Sequence, residues 1–262
     1  DAQLGEHRQR PVARAGPPLA ILARDIAINE AIATGALNMT ATAGSAQSGD
    51  LSGGSVSVSA TDILRAGNIQ ASAGSVTLAA INGLETGNIT ALAGSANLSN
   101  INGLLSTGTI EVADDFTLAT GSNVNLAGVT VGDDIRVNTT GTADFGNLFA
   151  LGGGADNESD GANIILSSTG AMFVDHAEAR DNFTATANRF ETGPATIITG
   201  GHILINTAAD ILLGDSQAGL SITANSTGGA ISVGPRGAGT AGTPAGAKTF
   251  DRTPVAPAGA AT

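Results

Sequence analysis

Residues 54–73 read GSVSVSATDILRAGNIQASA, and residues 74–93 read GSVTLAAINGLETGNITALA. The two stretches agree at 10 of 20 positions without a gap, and residues 94–113, GSANLSNINGLLSTGTIEVA, continue the pattern. A fixed period of this length is the mark of a stacked repeat architecture. The unit opens on a turn residue and a small or polar residue, followed by apolar–x–apolar. Openings of this kind fall at Gly35, Gly54, Gly74, Gly94, Asp114, Asp133, Ala162, Asp181, Gly201 and Gly229. The intervals are 19, 20, 20, 20, 19, 29, 19, 20 and 28, so two insertions are expected, near 146–160 and near 214–228.

Within one unit Val76 and Leu78 alternate with period two, as do Ile89 and Ala91. That is strand spacing. Gly74, Gly83 and Gly87 divide the unit into short runs, and glycine at this density costs a helix about 1 kcal/mol per residue. Stacking unit on unit puts Val56 over Val76 and Val58 over Leu78 over Leu98, about 4.8 Å apart. Val56, Val58, Val76, Leu78, Leu98, Leu84, Leu104, Ile69 and Ile89 are then expected to point inward. Asn68 and Asn88 also align, which predicts a short asparagine ladder at a turn. The expected fold is all-β, a right-handed parallel β-helix with coils of about 20 residues, because parallel crossovers favour the right-handed path. Ten or eleven coils make a rod roughly 50 Å long at about 4.8 Å per coil. A leucine-rich repeat has a similar length but needs a denser leucine framework than this one.

Composition fits a narrow core. The 262 residues include no Trp, Tyr or Cys, only seven Phe, and 37 Gly. Ala, Val, Ile and Leu supply the apolar content. The absence of Cys argues against a disulfide scaffold and against Cys-ligated zinc. No run of about 18 apolar residues is present, so no helical membrane span is expected. Net charge is −12. Between Asp25 and Val233 stand 20 carboxylates and four arginines, a net −16. Such a body repels phosphate backbones and anionic lipid heads, so neither nucleic acid nor a membrane surface is expected as a partner.

Residues 1–18, with Pro11, Pro17, Pro18, Arg8, Arg10 and Arg14, read as an arm or linker ahead of a solenoid spanning 19–233. Residues 234–262 read as a Pro/Gly/Ala-rich tail. If this tail is ordered, it is expected to lie against a second copy of the chain, anchored by Phe250 and Val255. A solenoid with open terminal strands is also expected to associate axially with other copies.

The units GSVTLAAINGLETGNITALA, the starts DDFTLAT and DDIRVNT, and the run DIAINEAIATGALNMTATAG resemble the shaft repeats of filamentous-haemagglutinin-like exoproteins of two-partner secretion. The resemblance covers roughly residues 20–233. It implies a right-handed β-helix fibre, an outer-membrane β-barrel export partner, a place on the bacterial cell surface or outside the cell, and a role in adhesion or biofilm on a host or matrix surface. The Asn-Pro-Asn motifs of that family's secretion domain are not in this sequence.

Little in the sequence suggests chemistry. Asp156, Glu158 and Asp160 alternate ahead of Gly161, as at the start of a calcium loop, but the twelfth position is Ser167 where a bidentate Glu is needed. They are the candidate metal ligands, with calcium the only cofactor suggested. Asp114-Asp115 and Asp133-Asp134 open adjacent coils, and their stacking is expected to be repulsive unless solvated or bridged. His176 follows Asp175, but neighbours on a strand face opposite ways, and His7 and His202 are isolated. Phe116 and Phe183 share one coil position and are expected in the core. No catalytic residue is expected. The functions in view are an adhesin shaft, a subunit of a self-assembling extracellular filament, and a β-helix polysaccharide-active enzyme. The last would need carboxylates and arginine grouped in a groove.

Overall fold

In a computed structural model, residues 12–16, 18–153, 161–193, 196–234 and 248–252 are described. They form strands and turns with no helix, so none is long and apolar enough to cross a membrane. The chain is a parallel β-solenoid. One sheet, here sheet 1, has 12 strands, and the facing sheet 2 has 18.

Sheet 1 begins at Leu19–Ala23 and takes one strand from every coil, among them Ser55–Ala60, Val76–Ala80, Ala96–Asn100 and Phe116–Thr120. Eleven of its strands are parallel, and they end on Ser221–Ser226. Alternation decides which side chains go inside. Met39, Val58, Leu78, Leu98, Leu118 and Val137 form one inward column, and Leu37, Val56, Val76, Ala96, Phe116 and Ile135 form the next. All twelve are buried. A parallel sheet packed on one face in this way gains its stability from apolar columns and from hydrogen bonds that run from coil to coil. Phe116 and Phe183 are fully buried in the same column, as expected. Phe183 meets Phe190 of sheet 2 edge-on, with ring centroids 6.1 Å apart.

Sheet 2 changes character along the axis. In the early coils it is two short strands per coil, such as Ile63–Ala66 and Ile69–Ala71. From Leu105–Val112 onward these fuse into single long strands, Val124–Val131, Ala143–Ala150 and Ala171–Ala179. They divide again at Arg189–Thr192 and Ile197–Thr199.

Four expectations are corrected. Leu104 is not inward: it is 49% exposed, and Leu105 is the residue paired with Leu84. The turn before it is one residue longer than in the preceding coil. It closes on Gly103 at φ +76°, where a Cβ would stand 2.2 Å from the Asn82 carbonyl oxygen, and the Asn100 side-chain amide donates to the Gly103 carbonyl at 2.9 Å. The stretch 214–228 is not an insertion. Ser216–Ala218 and Ser221–Ser226 make a regular coil, and exposed Leu220 stands where other coils have Gly, Asp or Ala. Residues 229–233 instead lead into a sheet 2 strand, Ile231–Val233, paired with Ile211–Leu213. The solenoid also starts before residue 19. Val12–Ala15 pairs in parallel with Glu30–Ala33.

The fourth correction concerns the tail. Lys248–Arg252 does form a strand, but it lies antiparallel on Ser221–Ser226 of its own chain. Thr249 and Phe250 suit a strand, and the last sheet 1 edge has backbone groups in need of a partner. Val255 lies outside the described residues. Of the insertion expected near 146–160, residues up to Ala150 belong to the strand Ala143–Ala150, and residues 154–160 lie outside the described residues. Across the insertion the register resumes with Ile135 opposite Ile164.

Candidate functional site

The polar groups that do most in this structure sit at coil corners and connect one coil to the next. At the corner that divides sheet 2, Asp50 Oδ1 accepts the backbone N–H of Asn68 at 2.8 Å. Asn68 Oδ1 accepts that of Asn88 at 3.0 Å, and Asn88 Oδ1 that of Thr109 at 3.0 Å. The predicted asparagine ladder is present, with side chains bonded to the next backbone instead of to one another. Each rung passes over a glycine. A Cβ at Gly108 would stand 2.3 Å from Asn88 Oδ1, closer than any side chain tolerates.

A second ladder runs along the coil openings of sheet 1. Ser75 Oγ accepts from Ser95 N at 3.2 Å, and Asp115 Oδ1 from Asp134 N at 3.1 Å. Asp134 Oδ1 accepts from Asn163 N at 2.6 Å, and Asn182 Oδ1 from His202 N at 2.9 Å. The His202 ring then meets Ser221 Oγ at 2.7 Å. This His–Ser contact falls where other coils carry a rung, so it reads as the ladder's last step.

The stacked acidic pairs belong to this second ladder. Asp134 is 2% exposed, yet its carboxylate is bonded on both oxygens: Asn163 donates to one from backbone and amide, and Arg136 Nη2 pairs with the other. Arg136 Nη1 also stands 3.8 Å from Asp115 Oδ1. The bridge that stacking requires is thus an arginine and backbone N–H groups. Arg136 lies two residues past Asp134, on the strand Ile135–Thr139 that follows it, a signal present in the sequence. Burial holds the Asp115 carboxyl above the usual carboxylate range, against the opposing pull of the Asp134 N–H and of Arg136.

The candidate calcium ligands Asp156, Glu158 and Asp160 lie outside the described residues. Among the described residues no group of three or more His, Asp or Glu side chains is arranged to hold a metal.

His176 pairs with Glu178, Nε2 to Oε1 at 3.0 Å, and not with Asp175. Its ring lies 5.5 Å from Phe149, one coil below. The register that sets Asn147 opposite His176 and Phe149 opposite Glu178 creates this cluster. Period-two spacing alone missed it, because the strand turns a corner at Asp175–His176 and both side chains are half-buried there. Toward the start of the same strand, a shallow recess of about 230 Å³ is lined by Asp144, Met172, Phe173, Arg189 and Glu191. Within it Arg189 and Glu191 pair at 3.2 Å.

The outward chemistry is therefore spread over several small groups, and the longest polar feature is the second ladder from Asp115 to Ser221. No family model matches the chain, and neither a curated protein nor a solved structure matches it.

Proposed function

We propose that this chain is a structural element, the shaft of a secreted bacterial surface protein that carries a binding function away from the cell. The observation that carries the reading is the run of side-chain-to-backbone bonds from Asp115 through Asp134, Asn163 and Asn182 to His202. Side chains that other folds use for recognition are here bonded to the backbone of the next coil, so polar groups and apolar columns serve the same purpose of keeping coils in register. Eleven sheet 1 coils at about 4.8 Å give roughly 50 Å of rod. The resemblance to filamentous-haemagglutinin-like shaft repeats supports the extracellular setting and the adhesive role, with an outer-membrane barrel as export partner.

Two measurements test this. Antibodies against the chain are expected to label intact cells of the source bacterium; labelling of lysed cells alone would overturn the surface reading. Inserting a second copy of residues 74–93 into the complete protein is expected to leave folding and binding intact while extending the rod by one coil. The recess at Asp144, Phe173, Arg189 and Glu191 favours one alternative, a polysaccharide-active enzyme. Release of soluble sugars from an acidic polysaccharide, lost on Glu191→Gln, would establish that alternative in place of the shaft.

A further inference from the structure

Every strand pairing among the described residues is parallel except one. Lys248–Arg252 runs antiparallel to Ser221–Ser226, with Arg252 opposite Ile222, Phe250 opposite Ala224 and Lys248 opposite Ser226. It closes sheet 1 at the end where a parallel solenoid would otherwise present a bare edge. Such an edge, with N–H and C=O groups pointing along the axis, is a template for another strand.

The opposite end of sheet 1 is complementary to that edge. Leu19–Ala23 is its first described strand, and among the described residues nothing pairs with its outer side. Leu19, Ile21 and Ala23 head the inward columns that continue through Leu37, Met39 and Ala41. They are only half-buried where they stand. At the far end the same columns finish on Ile222, Ala224 and Ser226. A second copy arriving head to tail would lay Leu19–Ala23 parallel on Ser221–Ser226, apolar over apolar in two of the three columns, at the ordinary strand spacing of about 4.8 Å.

Lys248–Arg252 occupies that place. It also adds one strand to sheet 1 with no matching strand on sheet 2, whose terminal members there are Ser216–Ala218 and Ile231–Val233. The end of the rod is therefore stepped by the height of one strand, and a copy landing on the cap would pair on one face only.

We infer that Lys248–Arg252 is a removable end cap over a coil-docking surface, and that this surface fits the N-terminal coil of a second copy of the chain. The segment expected from sequence to join copies instead holds them apart. This inference needs only the strand pairing, and it stands or falls separately from the shaft reading.

Two full-length variants test it by light scattering across a concentration series, with circular dichroism to follow strand content. Thr249→Pro/Phe250→Pro/Asp251→Pro removes three consecutive backbone donors and so lifts the cap whichever of them face Ser221–Ser226. This variant is expected to form multiples of the monomer mass as concentration rises, with its strand spectrum retained. Thr223→Cys/Asp251→Cys joins two residues that face each other in the register, in a chain with no other cysteine. Oxidised, it is expected to stay monomeric at every concentration. A proline variant that keeps its strand spectrum and remains monomeric would overturn the inference. So would an oxidised variant that assembles as readily as the proline one.

Discussion

Asn88 Oδ1 accepts the backbone N–H of Thr109, one coil on, at 3.0 Å, and the bond passes directly over Gly108. The pairing explains why a glycine precedes the ladder residue in three successive coils. The side chain of the coil below takes up the space in which a Cβ would lie.

This makes the two positions interdependent. Asn88→Ala is expected to cost about 1 kcal/mol, the net worth of one exposed hydrogen bond. Gly108→Ala is expected to cost about 1–3 kcal/mol, because its methyl displaces the Asn88 amide. Combined, the two should cost less than their sum by roughly 0.5–1 kcal/mol. Chemical denaturation of the four proteins measures the coupling, and strict additivity would count against the ladder.

The apolar columns give a second expectation. Leu78 is fully buried between Val58 and Leu98. Leu78→Asp places an unpaired charge in that column and is expected to destabilise by more than about 4 kcal/mol. Unchanged thermal stability would refute the register of sheet 1.

Thr199 offers the opposite case. Its hydroxyl is buried and finds no hydrogen-bond partner among the described residues, and its neighbours in the column are Ala179 and Ala218. Thr199→Val keeps the shape and removes the unsatisfied group, for an expected gain of about 1 kcal/mol. That corresponds to a rise of roughly 2–4 °C in the melting midpoint for a chain of this size. A drop in midpoint would show that the hydroxyl is satisfied in solution.

Asp115 gives a pH dependence. Burial raises its carboxyl pKa in the folded chain, so the folded state holds the proton more tightly than the unfolded state does. The group therefore favours folding most below the ordinary carboxylate pKa, and that contribution is lost as pH rises through the folded-state value. Asp115→Asn retains an oxygen for the Asp134 N–H and removes the ionised form. Its melting midpoint is expected to exceed that of the native chain at neutral pH, with the difference shrinking toward about pH 3. A variant less stable than the native chain at neutral pH would mean that the Arg136 contact outweighs burial.

Much of this was legible in the sequence because a solenoid repeats the same decision in every coil. Val56, Val76 and Val58, Leu78 announce the inward columns by alternation alone, and the Asn68–Asn88 match announces a ladder. Errors arose where one residue departs from the repeat. A single extra residue in the turn at 101–104 moves the inward position from Leu104 to Leu105. Leu220 at a coil opening hides a complete coil, because a large apolar residue replaces the Gly, Asp or Ala of the other openings. Stacked Asp115 and Asp134 read as repulsion, since the neutralising groups are backbone N–H donors and an arginine on the next strand. The direction of Lys248–Arg252 was not legible at all. Five residues carry no period, and only the three-dimensional edge they cover sets how they lie.

The coil-to-coil direction of the backbone bonds also has a mechanical consequence. Tension applied between the two ends of such a stack falls on one terminal coil at a time, and the bonds holding that coil open in sequence, as in a zipper. Each released coil of about 20 residues frees roughly 65 Å of extended chain, while the coils behind it remain folded. A rod built this way responds to a sustained pull by paying out length in even steps, and so dissipates the work of the pull without breaking the covalent connection between its ends.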